Sequence, residues 1–435
     1  MSILQLSETE PAIKQGLVAV SHAFEAGTLA EHTQYHDVLH RSTESYHKAL
    51  SLTAQRVAAP EAEAVALASC VLFLCFHCIS RERDEAVGLL QTGSAVMRKV
   101  LRDLQTRAGR HWEVAELFLP IFERLLILVR MFVSHCLRHP TIPTMVLSRS
   151  KPATNTSQGE HSPHLRDPEW LFSSDYQARL QQMVGFREAR SVLHWLVFDT
   201  HHLLVNGRIE RLLDSVALPT CVEAAACFQQ QKVLLAAYAA WSDGFEALCA
   251  RSHIDLNKHQ IAQMRLTYTI SSLWAATSLS LDESIHNLYT DDYQRALDLA
   301  EEVLQESDSG IFHFEQGLIP PLYFTALRCR EPALRWRAMS LLRRAPKREG
   351  LWDRDEALRT ASRVITLECE VAQIVGDGIS LEDAKICEVR TKLTDAQGTY
   401  VVFYAVQTGT DGVFAVWEEC IPIGYENHQW STLET

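Results

Sequence analysis

The chain is short of almost everything that announces chemistry. None of the phosphate-loop, dinucleotide, zinc-protease or serine-hydrolase motifs occurs: no G-x-x-x-x-G-K-[ST], no G-x-G-x-x-G after a strand, no H-E-x-x-H and no G-x-S-x-G. Ser45-x-x-Lys48 fits a serine–lysine pair, but the companion motifs of that mechanism are missing, and a chance match is the plainer reading. Positive charge is also in deficit. A formal charge of −13 over 435 residues excludes a surface that is basic throughout, which nucleic-acid binding would favour. The start, MSILQLSETEP, has neither a basic nor an apolar leader region, so no secretory signal is expected and the sequon at Asn155 is expected to be idle. The most apolar run, residues 64–79, falls short of the roughly 20 residues a spanning helix needs and reads as a buried core helix, with no membrane partner. No repeat of 34 or 40-odd residues recurs, which argues against a regular solenoid.

What is present is helix after helix. Pro11 opens a segment carrying Ile13, Leu17, Val20 and Phe24 on one face, and a second segment covers about residues 33–55. Pro60 launches the apolar run and Asp84 an amphipathic one. Residues 112–137 form another, in which Pro120 must kink the helix or start a new one. Helical patterns return at 175–204, 221–250, 259–279 and 289–304. Residues 389–417, with VVFYAV and VFAVW between turn signals, read as a small β-hairpin or three-stranded piece. The expected fold is all-α, irregular stacked antiparallel helices with a small C-terminal β-hairpin appendage. Four parts are expected: a helical half over 1–139, a Pro/Ser/Thr-rich linker over 140–168, a second helical half over 169–376 and the β-rich appendage over 377–435. Eleven cysteines, an odd number scattered singly in apolar helices as at Cys70, Cys75, Cys78, Cys221, Cys227 and Cys249, suit a reducing compartment.

Three groups of residues merit a functional reading. His32, His36 and His40, with Glu44 one turn on, would share a stripe if one helix holds them, and i, i+4 histidines can grip zinc. One helix supplies ligands from one side only, and a solvated face with His–Glu hydrogen bonds explains the stripe as well, so no metal site is assigned. His194, His201 and His202 with Asp199 read as core or groove-lining residues. AAYAAW, residues 236–241, would suit either a pocket between long helices for an apolar metabolite or core packing.

The densest stretch is residues 312–353. Pro320-Pro321 sits where a helix can begin, because proline's missing N–H has no partner in the first turn anyway. Glu331-Pro332 ends that helix and starts the next, with Leu334, Ala338, Leu341 and Leu342 on one face. Asp353 with Glu356 three residues on makes a capping-box pattern for a third. Arg328, Arg330, Arg335, Arg337, Arg343, Arg344, Lys347 and Arg348 stand against Glu331 and Glu349, a local net of 8 − 2 = +6. This cluster would suit an acidic partner, phosphate, or nuclear import through RRAPKR. The plainer reading pairs it with the acidic segments 291–306 and 368–370, and the chain's acidic excess favours that.

GLIPPLYFTALRCREPALRWRAMSLLRRAPKREGLWD, residues 317–353, resembles the end of the regulatory region of fungal zinc-cluster (six-cysteine) transcription factors. Shorter pieces are similar in the same order: LQLSETEPAIKQGLVAVSHAFE from Leu4, YHKAL from Tyr46 and AELFLPIFERL from Ala115. The residues carrying the likeness are Pro320, Pro321, Tyr323, Arg330, Arg348, Glu349 and Trp352. The resemblance implies a helical regulatory domain in the nucleus, with effector response, partner binding and restraint of activity, in a family that often controls secondary-metabolite gene clusters. Its C-x2-C-x6-C zinc module is absent, Cys70-x4-Cys75-x2-Cys78 being wrongly spaced, so no residue inherits zinc or base-contact roles and no cofactor is expected. The chain is expected to begin partway into that regulatory region. Two versions are open: the sequence lacks a DNA-binding segment encoded upstream, or the chain is a stand-alone co-regulator that reaches DNA only indirectly, through the transcription machinery or a DNA-binding partner. A small-molecule effector and self-association are compatible with this, and enzymatic activity is not expected. The alternative from composition alone is a helical interaction scaffold with no role in transcription.

Overall fold

The computed structural model describes residues 2–28, 35–58, 62–106, 112–135, 180, 183, 185–206, 221–251, 257–280, 283–306, 312–313, 317–374, 386–394, 398–406 and 414–422. The expected linker over 140–168, Asn155 within it, and His32 lie outside these residues. The chain begins with α1 (Ile3–Thr9), α2 (Pro11–Thr28), α3 (Tyr35–Val57), α4 (Glu63–Ser80), α5 (Arg83–Thr106) and α6 (Trp112–His135). Then come α7 (Phe186–Asn206), α8 (Cys221–Arg251), α9 (Lys258–Thr277), a 3-10 turn (Glu283–Tyr289) and α10 (Thr290–Glu306). The proline-rich segment forms α11 (Ile319–Arg328) and α12 (Pro332–Arg344), and α13 (Arg354–Ile374) follows. The fold is all-α with a small β appendage, as its periodicity predicts. Pro11, Pro320, Pro321 and Pro332 each stand in the first turn of a helix. At Pro120 no new helix starts: α6 runs through it as one element, the proline ring removing the hydrogen bond that residue 120 would have given to the carbonyl of Glu116.

The appendage is a three-stranded antiparallel meander, β4 (Ile386–Thr394), β5 (Gly398–Val406) and β6 (Phe414–Pro422), rather than a lone hairpin. A third strand is what an isolated hairpin needs to hold in water. A second, miniature sheet escaped the sequence reading. β1 (Phe312–His313) pairs parallel with β2 (Arg348–Glu349), and β2 pairs antiparallel with β3 (Trp352–Asp353). Strands of two residues carry no alternation to detect.

The main core draws buried side chains from both sides of the 140–168 stretch, from Ile13, Leu67, Leu74, Leu90 and Phe118 through Tyr293, Leu322, Trp352 and Val401. α4 is by length and composition apolar enough to cross a membrane, but it lies mostly inside this core, with Leu67, Ala68, Phe73 and Leu74 almost fully buried. Burial pushes its Cys75 thiol up to about 12, which leaves it inert. A second core packs α7, α8 and α9 around Tyr238, Trp241 and Phe245. Trp241 stacks on Phe245 at 4.8 Å and donates to the carbonyl of Ala189 at 2.8 Å, so Ala237, Tyr238 and Trp241 of the AAYAAW stretch are core, while Ala236 and Ala239 face outward.

α5 crosses α6 at Gly93. A Cβ there would stand 2.4 Å from Cε1 of Phe122, inside van der Waals contact. Gly93→Ala is therefore expected to cost about 1–3 kcal/mol by overpacking. Urea unfolding checks it, and Phe122→Leu in the same chain should recover most of the loss.

Candidate functional site

The segment singled out by the resemblance folds into a junction where the helix starts, the arginines and the miniature sheet meet. α11 begins with the backbone N–H groups of Gly317, Leu318 and Ile319 aimed at one carboxylate, that of Glu349 on β2, at 2.8–3.1 Å. The hydrogen-bond inventory of this helix end closes completely. Ile319 N–H goes to Glu349, Pro320 and Pro321 have no N–H to satisfy, and Leu322 N–H reaches the carbonyl of Leu318 at 3.0 Å. The carboxylate also sits where the helix dipole favours negative charge. It is 1% exposed, and burial pushes it up to about 7 while the three N–H donors pull the other way. Gly350, at φ 55°, supplies the left-handed turn that returns the chain from β2 to β3. Beside it Tyr323 and Trp352 pack with ring centroids 5.7 Å apart.

The arginines are engaged within the chain. Glu368 on α13 accepts from Arg335 Nη1 at 2.6 Å, from Arg330 Nη1 at 3.0 Å and from the N–H of Ile386 at the start of β4. Arg335 also donates through Nε to the carbonyl of Ala326 in the last turn of α11. Glu283 accepts from Arg330 Nη2 at 2.7 Å and Arg328 Nη1 at 3.0 Å. On the outer side Arg337 reaches Asp298 and Glu301 of α10, each at 2.6 Å. Both acidic segments named from the sequence thus receive arginines. Glu283 was not foreseen, since it lies in a short turn with no periodic signal. His286, buried beside Arg328 and Arg330, is pushed down to about 2 by burial and by those cations, and its Nδ1 meets the hydroxyl of Tyr293 at 2.8 Å. Arg343 and Arg344 are exposed at the end of α12, whereas Arg348 is drawn inward. RRAPKR is therefore part helix and part anchored chain.

Arg348 joins the junction to the corner between α4 and α5. It donates to the carbonyl of Ile79, while Arg81 pairs with Asp353 at 3.0 Å and Arg83 with Glu356 at 2.8 Å. Asp353 caps α13, accepting from the N–H groups of Asp355 and Glu356 at 3.0 and 3.1 Å, the N-cap half of the capping-box pattern, while the Glu356 carboxylate accepts from Arg83. The same corner holds His77, whose Nδ1 lies 2.5 Å from Glu82 and whose Nε2 lies 2.8 Å from the Tyr46 hydroxyl. Sequence reasoning missed this contact.

The other candidates stay apart from the junction. His36, His40 and Glu44 lie exposed on α3, and no group of three or more metal-ligating side chains gathers among the described residues. Asp199 and His201 are buried on α7, His201 edge-on to Trp274 at 4.9 Å. A narrow, mainly apolar cleft lies between α7, α9 and the start of α11. It is lined by Val197, Ile270, Ser271, Trp274, Gly317 and Pro320 among others. It touches the junction at Gly317, Pro320 and Pro321.

A junction of this kind fastens helices. No family model matches the chain, and no solved structure matches it. Over a short stretch it is similar to a fungal pathway-specific transcription regulator. That relative is the aspercryptin biosynthesis cluster-specific transcription regulator atnN of Emericella nidulans, 36% identical over 61 residues, which are 14% of this chain and 10% of the relative. The chain thus spans about a tenth of the length of the curated relative it matches.

Proposed function

We propose that this chain is a transcription regulator-like protein corresponding to the regulatory region of a fungal zinc-cluster factor. It works in the nucleus by binding other proteins rather than by catalysis. The observation that carries this reading is the likeness to a cluster-specific transcription regulator. It is supported by a helical fold whose most distinctive segment, residues 317–353, is a fastening unit. The regulated genes would be those of a secondary-metabolite cluster. DNA is reached through a DNA-binding partner or through the transcription machinery, and the chain needs no resident cofactor. A small effector would enter by the cleft beside Gly317 and Pro320, where it would press on the start of α11.

Two assays test the proposal. Fused to an unrelated DNA-binding domain, the chain should change the output of a reporter carrying that domain's site. The purified chain alone should give no sequence-selective gel shift. A silent reporter would sink the regulatory role, and tight selective binding to DNA would sink the indirect route.

A further inference from the structure

The lobe formed by α1–α5 shares the main core with the rest of the fold, and two of its attachments differ in chemistry. One is apolar: α5 rests on α6 at Gly93, where no Cβ would fit against Phe122. The other is polar and lies at the opposite end of the same half-helix. The chain corner at residues 79–83 meets the β2–β3–α13 segment through Arg348 to the Ile79 carbonyl, Arg81 to Asp353, and Arg83 to both oxygens of Glu356 at 2.8 and 3.4 Å. Gly93 lies ten residues beyond Arg83 on α5, about 15 Å along a rigid helix.

We infer that the corner is an ionic latch and the α5–α6 crossing the pivot on which the α1–α5 lobe swings when the latch opens. The two attachments answer to different forces. Apolar packing at Gly93 and Phe122 is lost only with the core. The corner is held by charge-assisted hydrogen bonds to groups that water can serve once they part, and Arg81 and Arg83 are already partly exposed. Arg81, at φ 69°, is the left-handed C-cap of α4, its N–H on the carbonyl of His77. Closed, the latch conceals Asp353 and Glu356, whose side chains are about nine-tenths buried. Open, it presents them, with Arg348, as a mixed-charge surface at the start of α13. The device rests on geometry alone and stands whether or not the chain acts in transcription.

Hydrogen exchange of the purified full chain, followed by mass spectrometry, tests it. Arg83→Met should raise exchange in residues 79–83 and 348–356 about tenfold, the factor one charge-assisted hydrogen bond supplies, while peptides around Gly93 and Phe122 keep their protection. High salt should move the native chain in the same direction. Unchanged exchange at the corner overturns the latch. An equal rise at the α5–α6 crossing overturns it too, because the core and not a joint would then have loosened. If Arg83→Met fails to fold, Asp353→Asn is read by the same criteria, since it keeps the helix-capping oxygen and removes the charge facing Arg81 and Arg348.

Discussion

Replacing Glu349 with alanine should cost about 3 kcal/mol at pH 5, because the buried N–H groups of Leu318 and Ile319 and the half-buried one of Gly317 lose their acceptor at about 1 kcal/mol each. Glutamine at the same place behaves differently, and its pH dependence is the sharper measurement. Burial holds the proton on Glu349 up to about 7, above the ordinary 4.5, so the folded chain binds that proton more tightly than the unfolded chain. A raised carboxyl of this kind contributes stability that is full below about 4.5 and is lost as the pH climbs to about 7. Glu349→Gln carries no such proton. Relative to the native chain, the variant should therefore gain roughly 2.5 kcal/mol between pH 5 and pH 8, since about 7 − 5 = 2 units of the window at 1.36 kcal/mol each fall in that interval. Urea titrations of both proteins at the two pH values give the difference, in which other titrating groups cancel. A difference flat in pH would mean that Glu349 is ionised in the fold throughout.

The second large effect belongs to Glu368. It sits between Arg330 and Arg335, whose side chains are 7% and 10% exposed against 4% for its own. Removing its charge leaves two guanidinium groups buried, Arg330 with only Glu283 and Arg335 with only the Ala326 carbonyl. The expected cost of Glu368→Gln is about 3–5 kcal/mol. Arg335→Met alone should cost less, since Arg330 can keep both glutamates. The double variant should be more stable than the sum of the single losses implies, and that coupling is the quantity to measure in a double-mutant cycle. Strict additivity would show that the groups do not act as one cluster.

The way these two carboxylates were found shows what the sequence could disclose. Helix starts at Pro320 and Pro332 and the cap at Asp353 were legible, because their rules act over one to four residues. Pairing of the cationic run with Glu368, Asp298 and Glu301 was legible as a balance of opposite charge between helices. The role of Glu349 was not, since its three donors lie about thirty residues upstream and no spacing rule reaches that far. It stood out only as a residue of the resemblance, an acid inside a basic run. The corner at Ile79, Arg81 and Arg83 was hidden for the same reason, more than 250 residues from its partners. The histidines of α3 show the converse. Their spacing is real, but spacing places them only on one face, and that face is open to water.

The distance between α11 and its cap also bears on how the chain is made. A ribosome releases Gly317 and Ile319 well before Glu349, and at roughly 5–20 residues per second the interval is on the order of seconds. Through that interval α11 has no acceptor from its own segment for the first N–H groups of its start. α11, α12 and β2 must therefore mature together, after residue 349 has emerged. Any product that stops short of it carries a helix whose beginning has nothing to close on.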